Sequence, residues 1–318
     1  MDHWNSYWKD GHTLSSFAES DWAAGYNEKL IELWEPYWRQ LPQNAQVLDV
    51  GTGNGALALA LAQYCHAQGK PLHITGIDLA DITPLNFFKD SATTAFLSNS
   101  VTLIGNCGVE NTPFVDGQFD AVYSQFGLEY ANWEASLSEL YRITNDDGSV
   151  VAIMHTCNST LSLDSERGLR ILTYCLHESN LMPLASKLLE HVEVLILENS
   201  VIKHDDKFKV LNQELLSEVK QLQFKFVEEQ DMPWFQDVVS RVAPLLYKLS
   251  YGNLKRLQEQ HMLLEFHLRR LLDQNRATFT ELKLDKVIRL AELKKWKVKT
   301  ELVYIESELF GVRLKLYK

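Results

Sequence analysis

The 318-residue chain predicts an α/β fold. The expected form is a doubly wound, mostly parallel sheet of seven strands with an antiparallel C-terminal hairpin. A large helical insertion falls between strands five and six. Three observations carry this. Residues 46–156 alternate short apolar runs with helix-like stretches, the rhythm of strands joined by crossover helices on both faces. Residues 160–292 keep only helical periodicity. The chain then closes on two strand-like runs with a loop between them short enough for a hairpin.

The first residues are crowded with aromatics: Trp4, Tyr7, Trp8, Phe17, Trp22, Tyr26, Trp34, Tyr37 and Trp38. From an N-cap at Ser20 or Asp21, the positions Trp22, Tyr26, Leu30, Leu33 and Tyr37 follow helical spacing, and Pro36 limits the helix. Residues 1–45 thus read as an aromatic helical lid, in which Trp4–His12, lacking periodicity, lies over a ligand. Strands are expected at Gln46–Val50, His73–Leu79, Ser100–Ile104, Phe119–Gln125 and Ser149–His155. Helices are expected at Gly55–Gln68, Asp90–Leu97 and Trp133–Thr144. Gly117 and the run Asn145-Asp146-Asp147-Gly148 mark turns that enter strands.

The insertion reads as six helices: Asp164–His177, Leu184–Glu198, Gln213–Glu229, Trp234–Leu249, Leu254–Asn275 and Leu284–Lys294. Pro244 should kink the fourth. Leu254, Leu257, His261, Leu264, Leu268 and Leu271 repeat at 3-4-3-4-3 spacing. That stripe serves either packing within one subunit or a homodimer seam. The closing strands are Trp296–Ile305 and Phe310–Lys318, with Glu306–Leu309 as their loop. Residues 46–159 and 293–318 therefore form one ligand-binding α/β domain, and 160–292 cover its substrate, form an interface, or both.

Composition narrows the classes. At 46% apolar and 11% aromatic residues, the chain can bury a full core. Its longest apolar runs, such as Ala56–Ala62, fall short of the roughly 18 residues that a membrane span needs. No basic region followed by an apolar stretch opens the sequence, so no secretory signal is expected. Four cysteines with no CxxC spacing fit reduced thiols in the cytoplasm and offer no thiolate metal site. The net charge is −11, but residues 241–318 carry 17 basic and 9 acidic side chains. An acidic chain is a poor nucleic-acid binder by default, and the basic quarter keeps that option for one face.

The strongest local signal is Val47-Leu48-Asp49-Val50-Gly51-Thr52-Gly53-Asn54-Gly55-Ala56. A buried strand runs into a glycine-rich turn and then a helix, so that a ligand can approach the backbone closely. Asp78 ends the next strand, where a carboxylate can accept from both hydroxyls of a ribose. Together these predict a site for an adenosine-containing ligand. Gly51, Gly53 and Ala56 also fit the dinucleotide pattern. Asp49 opposes a pyrophosphate and suits a ligand with positive charge. S-adenosylmethionine carries a sulfonium and an ammonium and no phosphate.

This segment resembles motif I of the class I S-adenosylmethionine-dependent methyltransferases, particularly those of small-molecule biosynthesis. Gly105-Asn106-Cys107 with Glu110 and Pro113-Phe114 resembles the family's loop after strand three, with a longer spacer. Phe119–Gln125 resembles its fourth strand, and Asp146-Asp147-Gly148 stands where the family often has Pro-Gly-Gly. The resemblance implies that Asp49, Gly51, Gly53 and Gly55 line the methionine and ribose end of S-adenosylmethionine. It implies that Asp78, followed by Leu79, holds the ribose. Asn106 would face the adenine amino group and the Cys107 backbone the adenine ring. Gln125 would turn a backbone carbonyl to the methionine ammonium. The leaving group is a neutral thioether, so the reaction requires no metal, and positioning carries most of the rate.

A base matters only when the acceptor loses a proton. Candidates stand where strands four and five end: Glu129, Tyr130 and His155. The expectation is methyl transfer to a small molecule. RNA or protein methylation through the basic quarter, and a non-catalytic S-adenosylmethionine-binding assembly module, remain alternatives.

Overall fold

The computed structural model describes residues 1–9, 27–82 and 100–318. It divides into two compact units: a sheet unit, Met1–Ser162 with Arg276–Lys318, and a helical unit, Leu163–Asn275.

The sheet unit holds seven strands: β1 (Gln46–Val50), β2 (His73–Ile77), β3 (Val101–Ile104), β4 (Phe119–Gln125), β5 (Thr144–Met154), β6 (Lys297–Ile305) and β7 (Glu308–Tyr317). Their spatial order is β3-β2-β1-β4-β5-β7-β6. The first five run parallel, while β7 is antiparallel to both β5 and β6. Asp49 lies level with Gly76 of β2 and Tyr123 of β4, so the carboxyl ends of three strands line up. The strand order reverses between β1 and β4, the place where open α/β sheets take ligands.

Both faces are covered. On one, α2 (Glu28–Trp38) and α3 (Ala56–Ala67) bury Leu30, Trp34, Trp38, Leu57 and Leu61 against Val47, Ile74 and Ile153. The repeated Ala-Leu of α3 buries nearly its whole circumference, which fits a helix wedged between sheet and α2. On the other, α4 (Trp133–Ile143) packs Leu137, Leu140 and Ile143 on Leu48, Val122 and Val150. A short first helix, α1 (Asp2–Lys9), buries Trp8 beside Ala80 and Ile82.

The helical unit begins within α5 (Thr160–Thr173), which runs into a wide turn at Tyr174–Glu178. It continues through α6 (Leu181–Leu197), α7 (Asp206–Lys225), α8 (Met232–Tyr247) and α9 (Asn253–Ala277). Its core joins Ile171, Leu188, Phe226, Val238 and Leu264. Gly168 admits the Trp234 ring, which a Cβ there would approach to 2.6 Å. Buried Asp231 accepts from Arg170 Nη2 through both oxygens, at 2.6 and 2.7 Å.

Several expectations are corrected. Asn27 is extended and its side chain accepts from Leu30 N, so α2 starts at Glu28; the expected N-caps, Ser20 and Asp21, lie outside the described residues. Trp22 and Tyr26 lie outside the described residues, as does the helix expected at Asp90–Leu97. The sheet unit resumes at Arg276, not at 293. The next helix, α10 (Glu281–Leu293), belongs to it and buries Val287 and Ala291 beside Phe279 and Trp296. Its amphipathic pattern matches that of the preceding helices, so periodicity alone could not assign it. α7 starts at Asp206 because the Asp205 side chain accepts from Phe208 N; the charged first turns hid that start. α8 continues past Pro244 as one element, with one turn left to run. Leu257, Leu264, Leu268 and Leu271 are buried in the helical unit's own core, so the leucine stripe is not a free seam. The terminal hairpin turns on Glu306 and Ser307, with Glu306 in the left-handed region. Among the described residues, no helix is long and apolar enough to cross a membrane.

Candidate active site

The glycine turn joins β1 to α3. Gly51, Gly53 and Gly55 take φ of 68°, 52° and 94°, a region that L side chains rarely adopt. Space is also missing at all three; a Cβ on Gly55 would lie 2.8 Å from Leu103 Cδ1. A Cβ on Gly51 would lie 2.6 Å from Gly127 Cα, and one on Gly53 would lie 2.6 Å from the Trp8 ring. The turn after β1 is therefore pressed against the turn after β4 on one side and against α1 on the other.

Asp49 sits beneath this turn, almost wholly buried. Its Oδ2 accepts from Thr52 Oγ1 at 2.7 Å. Burial pushes the carboxyl up to about 7 against these hydrogen bonds, and the charge of Asp78 adds to the rise. Asp78, at the end of β2, accepts from Gly53 N through Oδ2 and from Ala80 N through Oδ1, both at 2.8 Å. Burial also raises its carboxyl, against these two bonds. The Asp78 carbonyl accepts from Cys107 N at 2.9 Å, and the Ala80 carbonyl from Asn106 N at 3.0 Å. Asp78, Leu79, Asn106 and Cys107 are thus laced into one rim. Asn106 is exposed with φ 56°, and Leu79 is an exposed apolar side chain on that rim.

Gln125 closes β4, but its side chain faces the core: Oε1 accepts from Trp34 Nε1 at 2.6 Å. Its amide therefore anchors α2. The next residue, Phe126, has φ 55°, an uncommon conformation for a bulky side chain. This bend places the Phe126 ring 4.1 Å from the His155 ring, centroid to centroid, with 32° between their planes. It also brings Gly127 to Gly51. Ser124 Oγ holds the bend, donating to Val50 O at 2.8 Å and accepting from Leu128 N at 2.9 Å.

His155 and Glu129, read separately from sequence, are in contact. Both are buried. Glu129 Oε1 accepts from the His155 backbone N at 3.0 Å and lies 2.7 Å from His155 Nδ1. Among the described residues, Glu129 Oε2 is buried without a hydrogen-bond partner. The third candidate, Tyr130, is at the edge: its ring is 6.5 Å from His155 and 5.7 Å from Trp4. The aromatic face of α1 therefore reaches from Gly53 to Tyr130. Asn54 Nδ2 donates to Trp8 O at 3.2 Å, Asp81 N to Asn5 Oδ1 at 2.9 Å, and Lys9 pairs with Asp81 at 2.6 Å.

Sequence reasoning missed Phe126, Ser124, Trp34 and the partner of Trp8. The Phe126-Gly127 pair directly after a strand was a usable turn signal; the others depend on partners distant in the chain.

Residues 48–152 match a family model described as a methyltransferase domain. The chain is 28% identical over 127 residues to the ubiquinone/menaquinone biosynthesis C-methyltransferase UbiE of Rickettsia typhi, covering 39% of this chain and 50% of that protein. It is 32% identical over 103 residues to the release factor glutamine methyltransferase of Haemophilus influenzae, covering 29% of this chain and 35% of that protein. The chain thus spans half or less of the length of these relatives. Among solved structures, geranyl diphosphate C-methyltransferase from Streptomyces coelicolor is 19% identical, with a TM-score of 0.32 over 40% of this chain and 48% of that one. Over residues 48–152 the chain is thus similar to a methyltransferase domain.

Proposed function

We propose that this chain transfers the methyl group of S-adenosylmethionine to a small-molecule acceptor. The observation that carries the reading is the pairing of a buried acid, Asp49, with a left-handed glycine turn, and of that turn with Asp78 at the next strand end. A desolvated carboxyl beside the turn is relieved by a cationic ligand and made worse by a pyrophosphate. The donor set fits S-adenosylmethionine in other respects. Asp78 keeps lone pairs for ribose hydroxyls, since each oxygen accepts one backbone N–H. The exposed Asn106 side chain can accept from an adenine amino group, and Leu79 can pack on the ring. The Gln125 carbonyl is the candidate partner of the ligand ammonium.

When bound, S-adenosylmethionine supplies a methyl group on a sulfonium whose leaving group is neutral. The protein's part is to hold, orient and exclude water. We assign the covering role to α1, whose Trp4, Tyr7 and Trp8 lie over the turns after β1 and β4. His155, with Glu129 and Tyr130, is assigned to the acceptor side. Enclosure by aromatic side chains favours a small acceptor over RNA or a folded protein.

Thermal unfolding with added ligands tests this. S-adenosylhomocysteine should raise the midpoint by several degrees, and NAD and FAD should not. Stabilisation by NAD or FAD, or by none of the three, would contradict the proposal.

A further inference from the structure

We infer that Nε2 of His155 is the general base of this site, and that the acceptor is a compound which must lose a proton as it is methylated: a phenol or an enol. The inference rests on the methyltransferase reading for the identity of the reaction, and on the geometry of β4 and β5 for the base.

The proton inventory of one oxygen decides the histidine tautomer. Glu129 Oε1 already accepts the backbone N–H of His155 at 3.0 Å, which marks it as an acceptor. The same oxygen stands 2.7 Å from Nδ1, and in the pair we propose, a carboxylate facing a neutral imidazole, Nδ1 is the donor. A neutral imidazole with its proton on Nδ1 carries a lone pair on Nε2. The ring cannot readily turn over to exchange the two nitrogens: it lies against Phe126 on one side, with Tyr130 edge-on. The chain also accepts an unfavourable backbone conformation to put Phe126 there, of the kind found at sites where geometry serves function. Glu129 and Phe126 are thus positioning residues, and His155 is the catalytic one.

A carboxylate behind Nδ1 stabilises the imidazolium that forms when Nε2 takes a proton. The side chain of Glu129 is fully buried and, among the described residues, Oε2 has no hydrogen-bond partner, so little water stands between this carboxyl and the ring. An acceptor with no proton to lose, such as a tertiary amine or a thioether, would leave this arrangement idle. A phenol or enol uses it. The hydroxyl proton passes to Nε2, and the nucleophilic oxygen, or the ring carbon conjugated to it, bonds to the methyl carbon. The sulfur–methyl bond breaks and leaves its electron pair on sulfur. With a carbon acceptor the ring proton is then released to solvent and Nε2 returns its proton to the oxygen, which restores the conjugated phenol or enol and the neutral imidazole.

The test is long-range proton–nitrogen correlation spectroscopy of the full chain labelled with nitrogen-15 histidine, alone and with S-adenosylhomocysteine. Loss of one signal set in His155→Asn assigns it. The expected result is a protonated Nδ1 and a bare Nε2 at neutral pH. Glu129→Gln keeps the acceptor oxygen and should keep that tautomer; Glu129→Ala removes it and should populate the Nε2–H form. A wild-type chain with its proton on Nε2 overturns the base, whatever the variants do, as does a tautomer unchanged in Glu129→Ala. Calorimetry with S-adenosylhomocysteine on the same sample separates the two readings. Binding with the Nε2–H form sinks the base and leaves the methyltransferase. No binding sinks the methyltransferase and, with it, the role given to His155.

Discussion

At the scale of single residues, Asp49 records the charge of the ligand for which the turn is built. A carboxyl raised by burial holds a proton in the folded chain that the unfolded chain releases near 3.8. The folded state therefore binds more protons between that value and about 7, so stability falls as pH rises through this window. The fall is on the order of 4 kcal/mol at about 1.4 kcal/mol per unit. Asp49→Asn should lack this slope, so that above pH 7 the variant is the more stable chain. Urea unfolding across the pH range checks it, and identical slopes in the two chains would contradict the assignment. Gly51 is constrained twice, by a left-handed φ and by Gly127. Gly51→Ala should cost at least about 2 kcal/mol, from strain and backbone overlap together. An unchanged denaturation midpoint would show that the two turns are not in close contact.

At the scale of elements, α1 meets the rest of the sheet unit, among the described residues, through the buried Trp8 indole, the Trp4–Tyr130 ring contact and polar contacts of Asn5, Trp8 and Lys9. Such a segment opens locally at little cost to the global fold. Trp8→Ala should leave the unfolding midpoint nearly unchanged and speed release of S-adenosylhomocysteine about tenfold, equivalent to about 1.4 kcal/mol. Stopped-flow displacement measures it; an unaltered release rate would remove α1 from the site. Elements were legible where a local rule fixes them. β1 and β4 fall where the sequence puts them, because apolar strands bounded by turn residues admit little else. The glycine turn and Asp78 were legible for the same reason. Contacts that span the chain were not: Glu129 and His155 are 26 residues apart, and Trp8 and Asn54 are 46 apart. α10 was misassigned because an amphipathic helix packs equally well on a sheet or on other helices.

At the scale of the molecule, the sheet unit is assembled from two stretches of chain that meet where the helical unit departs and returns. Cys157 N donates to Phe279 O at 2.9 Å, and Phe279 N donates to His155 O at 2.9 Å. Replacing residues 160–277 with a short Gly-Ser linker should therefore leave a folded sheet unit that binds S-adenosylhomocysteine. Loss of cooperative unfolding in that chain would show that the sheet unit depends on the helical one. Every role assigned to the sheet unit depends on the cradle of Gly51–Gly55 and Asp78, and the most direct measurement is a calorimetric titration of wild-type chain and Asp78→Ala with S-adenosylhomocysteine. Saturable binding is expected, weakened at least tenfold in the variant, since two ribose hydroxyls lose a charged acceptor worth about 1.5–3 kcal/mol. Equal affinity in the two chains, or no binding in either, would contradict it.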